Sequence, residues 1–116
     1  MLTVILAITL AVADLGAVER AYHDDLQYQV VDRGTVDSAL AGQWGAPAAA
    51  GNDYVLLQPA SGEPVYLRLV QQDTPPPPAM QTHGWNSNEI LVEDPEALNV
   101  RLKDSAFRVI GPPKGL

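Results

Sequence analysis

Large and small side chains alternate along residues 2–12. Every even position carries a large apolar group, and most odd positions carry alanine or threonine, with Ile5 as the exception. Because successive side chains of a strand point to opposite faces, this pattern predicts a strand with one bulky and one lean face. We expect the bulky face to pack on helices and the lean face to leave room for other side chains or a ligand.

A helix is predicted directly after this strand. Leu15, Val18, Tyr22 and Leu26 recur at spacings of three and four residues, which is one face of a helix. Asp14 precedes them and can cap the helix, because its carboxylate can accept a hydrogen bond from the free amides of the first turn.

Three further strands are predicted, at residues 27–36, 53–58 and 65–71. The last two are joined by a tight Ser-Gly-Glu-Pro turn at residues 61–64, which predicts a hairpin. Between the first two, Asp37 is expected to cap a short helix that extends to Trp44, and Trp44 is expected to pack this helix onto the sheet edge.

After a stiff proline-rich connector the pattern starts again. Residues 85–92 are predicted to form a strand, Asp94 and Pro95 to begin a helix, and residues 107–110 to form another strand. This is an internal repeat at nearly constant offset. In the first copy it comprises Val12, Asp14, Ala17, Val18 and residues 28–31, and in the second Val92, Asp94, Ala97, Leu98 and residues 107–110.

Several stretches together resemble the vicinal oxygen chelate superfamily, which contains glyoxalases, bleomycin-resistance proteins and extradiol dioxygenases. They are ITLAVADLGAV at residues 8–18, YQVVDRG at 28–34, YLRLV at 66–70, and GWN at 84–86 leading into ILVED at 90–94. The resemblance implies an α+β domain built from paired βαβββ modules. Here it implies one complete module followed by an incomplete second βαβ copy.

The resemblance also sets the expected domain organisation. The chain is a single glyoxalase-like domain, with a first module over residues 1–72, a connector over 73–84 and a truncated second module over 85–116. A sheet without its last strands leaves exposed edges. We therefore expect either that the chain is the amino-terminal part of a longer protein or that it forms a homodimer.

Metal-binding members of this superfamily place ligands on the cavity face of the sheet. In this chain the corresponding positions carry Ala7, Arg68 and Ser87. Alanine has no donor atom and a guanidinium repels a cation, so these residues do not favour a divalent metal. No cofactor is therefore expected, although a partner or a missing half could supply metal ligands.

The faces predicted for the strands suggest which residues line a cup. Tyr66 and Arg68 share one face of the fourth strand, and Ser87 and Glu89 share one face of the fifth. Trp85, at the start of the fifth strand, either packs the seam between modules or stacks on a flat ligand. These five residues are the predicted ligand-binding set.

Arg68 and Glu89 allow two interpretations. They can form a structural ion pair across the cup, which we favour, because buried charges are normally paired. Alternatively, Arg68 holds a carboxylate or enolate oxygen of a substrate while Glu89 accepts a proton. His83 is a second candidate for acid–base chemistry.

The composition disfavours nucleic acid and membranes as partners of this chain. The net charge is −7, from 14 acidic and 7 basic residues, which disfavours nucleic acid. The chain has no cysteine, as suits a cytoplasmic protein, and its apolar start is shorter than the roughly 20 residues of a membrane span.

The expected function is binding of a small organic ligand in a sheet-lined cup without the usual metal. The alternatives are a metal-dependent lyase, isomerase or dioxygenase whose other ligands come from elsewhere, and an inactive structural half-domain. Whether the chain is an enzyme stays open at this point.

Overall fold

The computed structural model describes residues 6–74, 78, 81, 83 and 87–115. The chain forms two compact units, residues 1–76 and 77–116. The first contains four strands and two helices, in the order β1 (Ala7–Val12), α1 (Leu15–Leu26), β2 (Tyr28–Thr35), α2 (Ser38–Gln43), β3 (Asp53–Pro59) and β4 (Tyr66–Gln71). A single 3-10 turn, Pro47–Ala49, follows α2. The second unit contains α3 (Pro95–Leu102).

The four strands form one mixed sheet in the order β1-β4-β3-β2. β1 runs parallel to β4, whereas β3 is antiparallel to both of its neighbours. Helix α1 connects β1 to β2, and these two strands form the opposite edges of the sheet. The predicted α+β class and the β3–β4 hairpin are confirmed.

One face of the sheet is covered by α1. Its buried core comprises Val12, Tyr28, Val55, Leu57, Leu67 and Leu69, packed against Ile8, Leu10, Leu15, Val18, Tyr22, Leu26 and Val30. The predicted helical face and the bulky face of β1 therefore meet. Leu6 departs from the prediction, because it precedes the strand and is 54% exposed.

The start of α1 is held by two side chains. Asp14 caps the helix by accepting a hydrogen bond from the amide of Ala17 at 2.9 Å. Gln71, at the end of β4, accepts from the amide of Leu15 at 2.9 Å and donates to the carbonyl of Ala13 at 2.7 Å. One amide side chain thus fixes the turn between β1 and α1 to the neighbouring strand.

Among the described residues, the two copies of the predicted internal repeat share only the way in which their helices begin. Asp94 accepts from the amide of Ala97 at 2.9 Å, as Asp14 does from Ala17. The predicted strands of the second copy are wrong where the structure describes them, because residues 87–92 and 107–110 form no strand. A β-prone run becomes a strand only where a neighbour pairs with it and covers its side chains. Leu91 is fully exposed and Ile110 is 91% exposed, so neither has such cover.

Candidate functional site

The face of the sheet opposite α1 carries the candidate site. Strand pairing arranges its side chains in rows that run across the strands. One row consists of Thr9, Arg68, Leu56 and Asp32, and the next of Ala11, Val70, Tyr54 and Gly34. This is the lean face that the alternation in β1 predicts, and we call it the open face.

Helix α2 and the 3-10 turn cover one end of the open face. Asp37 begins α2 by accepting a hydrogen bond from the amide of Leu40 at 2.7 Å, as predicted. A small second core forms there around Val36, Ala41 and Val70, with Trp44 and Tyr54 packed against it. This core holds both aromatic rings beside Arg68.

The guanidinium of Arg68 lies near both of these rings. Its Cζ is 5.2 Å from the centre of the Trp44 ring and 5.8 Å from the centre of the Tyr54 ring, distances at which a cation is attracted to an aromatic face. The Nε atom is buried and has no hydrogen-bond partner in the described part of the chain. Within residues 6–74, moreover, no carboxylate forms an ion pair with the guanidinium.

Tyr54 contacts both the guanidinium of Arg68 and the carboxylate of Asp32. Its hydroxyl donates to Oδ2 of Asp32 at 2.7 Å. The hydrogen bond to Asp32 is the main cause that raises the pKa of Tyr54, because ionisation of the phenol would remove the donor. Gly34 leaves space for the Tyr54 ring, since a Cβ there would lie 3.2 Å from the hydroxyl oxygen.

A β-bulge in β2 decides where Asp32 points. Val30 pairs with Leu57, but Asp32 pairs with Leu56, so one extra residue lies between the two pairs. Without it, Asp32 would share the α1 face with Val30. The bulge places Asp32 on the open face and turns Arg33 toward α1, where it forms a bidentate ion pair with Glu19 at 2.8 and 2.5 Å.

Two of the predicted ligand-binding residues lie together on the open face. Tyr66 and Arg68 alternate along β4 there, with the buried Leu67 between them on the α1 face. Ala7 pairs with Tyr66, so Ala7 also shares this face with Arg68.

The other predicted residues belong to residues 77–116. Ser87 and Glu89 are exposed and lie in the segment that forms no strand, so the strand face expected to align them is absent. His83 lies at an exposed bend, and Trp85 lies outside the described residues. Arg68 and Glu89 belong to different units, and the ion pair predicted between them stays a prediction.

Sequence reasoning missed three members of the site as functional residues. Trp44 was expected to pack only against the sheet edge, and Tyr54 carried no assignment. The alternation of Tyr54, Leu56 and Gln58 with Val55 and Leu57 could have placed Tyr54 opposite the core. Asp32 could not have been found in this way, because the bulge breaks the alternation.

Two searches of the described residues gave negative results. No group of three or more histidine, aspartate or glutamate residues is arranged there to hold a metal ion. None of the helices in the described ranges has both the length and the apolar character needed to cross a bilayer.

Comparison with known proteins gives a likeness in fold. No family model matches the chain, and no curated protein does. The crystal structure of SMU.1112c is similar, with a TM-score of 0.54 and 15% sequence identity. The match covers 88% of this chain and 74% of the other. At this identity the likeness shows the fold alone.

Proposed function

We propose that this chain is a ligand-binding domain of the vicinal oxygen chelate type that holds a small organic anion on the open face through Arg68. The observation that carries the proposal is the half-buried guanidinium near Trp44 and Tyr54, which has a buried, unsatisfied Nε and no ion-pair partner within residues 6–74. Binding, without chemistry on the ligand, is the function proposed.

An unpaired guanidinium in this setting favours an anionic partner. Moving a charge out of water is costly unless hydrogen bonds and an opposite charge compensate. The aromatic rings compensate in part, but they provide no acceptor for the N–H groups. Because Nε is buried, we assign the ligand to the edge formed by Nη1 and Nη2. That edge matches the two oxygens of a carboxylate.

Sheet order and residue resemblance support the family part of the proposal. The first unit has the βαβββ order that the resemblance implies, with only the short α2 and a 3-10 turn added. A metal-free mode of binding is supported by the residues at the superfamily's ligand positions, since Ala7 offers no donor atom and Arg68 would repel a divalent cation.

The proposal is tested by calorimetric titration with caproate and with the corresponding alcohol. The native chain is expected to bind the carboxylate in the millimolar range, as suits a ligand of this size, and to bind the alcohol more weakly. Arg68→Gln is expected to weaken carboxylate binding about tenfold, because the charged hydrogen bonds are lost. Arg20→Gln, on the exposed side of α1, is the matched control for the change in charge and is expected to bind normally.

Two outcomes would overturn the proposal. One is equal carboxylate affinity of the native chain and Arg68→Gln, and the other is no carboxylate binding by the native chain. A parallel thermal-shift series with Mn²⁺, Fe²⁺, Ni²⁺ and Zn²⁺ tests the metal-free part, because clear stabilisation by one of these ions would contradict it.

A further inference from the structure

The open face carries negative as well as positive charge. Asp32 stands in the same cross-strand row as Arg68, with Leu56 between them. The carboxylate of Asp32 therefore lies on the same face as the guanidinium of Arg68, so a ligand that carries a positive group beside its carboxylate can make an attraction that a simple anion lacks.

Asp32 has capacity for a further hydrogen bond. Its Oδ2 accepts from Tyr54, and its Oδ1 accepts no hydrogen bond from the described residues. A carboxylate can accept about four hydrogen bonds, so the exposed Asp32 can receive a donor from a ligand while it keeps the bond to Tyr54.

The spacing between the two charged residues suits a short molecule. Arg68 and Asp32 are separated by two strand spacings, which corresponds to about 9.5 Å between their Cα atoms. Both side chains approach Tyr54, Arg68 at the ring and Asp32 at the hydroxyl. The floor between them is the half-buried side chain of Leu56, an apolar surface that suits an aliphatic segment.

We infer that the preferred ligand is a zwitterion, with a carboxylate on Arg68, an ammonium group on Asp32 and a short aliphatic chain over Leu56. This inference rests on the proposed function and names its ligand class. A zwitterion also has no net charge to be repelled by a protein of net charge −7.

The test compares two series of probes by calorimetric titration. The first is γ-aminobutyrate, δ-aminovalerate and ε-aminocaproate, and the second is butyrate, valerate and caproate. At least one amino acid is expected to bind about threefold tighter than its matched carboxylate, as suits an exposed ion pair. Asp32→Asn, which retains an acceptor for Tyr54, is expected to remove this advantage and leave carboxylate binding in place.

Glu63→Gln, at the exposed hairpin turn, removes the same charge away from the site and is expected to keep the advantage. Carboxylate binding with no gain from any amino group would overturn the inference but leave the proposed function intact. An advantage that persists in Asp32→Asn would also overturn it. Absence of binding by every probe would overturn both.

Discussion

The two faces of the sheet use alternate residues of the same strands for different purposes. On the face beneath α1, Leu57 and Leu69 are completely buried among other apolar side chains. On the open face, Arg68 and Tyr54 are half-buried. The hydroxyl of Tyr54 donates to a carboxylate, and the Nε atom of Arg68 has no hydrogen-bond partner among the described residues. The comparison teaches that period-two alternation lets one sheet separate its stability from its recognition chemistry.

The largest expected effect lies on the covered face. Leu57→Ala is expected to lower the free energy of unfolding by about 3 kcal/mol, because it leaves a cavity among fully buried side chains. Leu56→Ala removes the same atoms from the neighbouring position on the open face and is expected to cost about 1 kcal/mol or less. Urea unfolding measures both, and equal losses would contradict the division between faces.

A smaller effect is expected at the turn between β1 and α1. Gln71→Leu leaves the amide of Leu15 and the carbonyl of Ala13 without their side-chain partner, and we expect a loss of about 1–2 kcal/mol. Gln72→Leu is the control, because the backbone bond of Gln72 to Val12 is retained. The control is expected to change stability by less than about 0.5 kcal/mol. A comparable loss in Gln72→Leu would show that the hydrogen bonds of Gln71 do not support the turn.

Tyrosine titration distinguishes the faces without changing the core. Burial raises the pKa values of Tyr22 and Tyr28 on the covered face, whereas the hydrogen bond to Asp32 is the main cause for Tyr54. In Asp32→Asn the pKa of Tyr54 is expected to fall toward its ordinary value, while those of Tyr22 and Tyr28 stay raised. Phenolate absorbance followed against pH, with Tyr54→Phe to assign the Tyr54 contribution, measures the change.

The same shifts set a pH dependence of stability. All three phenols hold their protons more tightly when folded than when unfolded, so their stabilising contribution is complete below the unfolded pKa of about 10. It is lost as the pH rises through the raised folded pKa values. Unfolding midpoints measured from neutral to strongly alkaline pH are therefore expected to fall only in the alkaline range, and less steeply in Tyr54→Phe. An equal fall in both proteins would contradict the role of the Asp32 hydrogen bond.

The elements of the first unit could be predicted because local signals agree there. Asp14 and Asp37 cap helices that begin where the sequence indicates, and the Ser-Gly-Glu-Pro turn joins two strands. On the open face, the shared position of Tyr66 and Arg68 could be predicted from the alternation along β4. Asp32 could not, because the bulge shifts the alternation of faces in β2, and its position is set by strand pairing, which the sequence of β2 does not reveal.

The second unit shows where a repeat in sequence misleads. The Asp94 cap is present, but the residues matched to β1 and β2 form no strand where described. A cap depends on residues three positions apart, whereas a strand depends on a distant partner. Roles of Ser87, Glu89 and His83 stay predictions. So do the cytoplasmic location and the homodimer, whose mass light scattering would measure.

The most direct test of ligand binding at Arg68 observes its own side chain. Nitrogen–proton correlation spectra of the five arginine side chains, recorded during a titration with caproate, separate Arg68 from Arg20, Arg33, Arg101 and Arg108 once Arg68→Gln has assigned its signal. We predict a saturable shift of the Arg68 signal, with those of Arg20 and Arg33 nearly unchanged. Saturable binding that leaves the Arg68 signal in place, or shifts all five signals alike, would contradict the proposal.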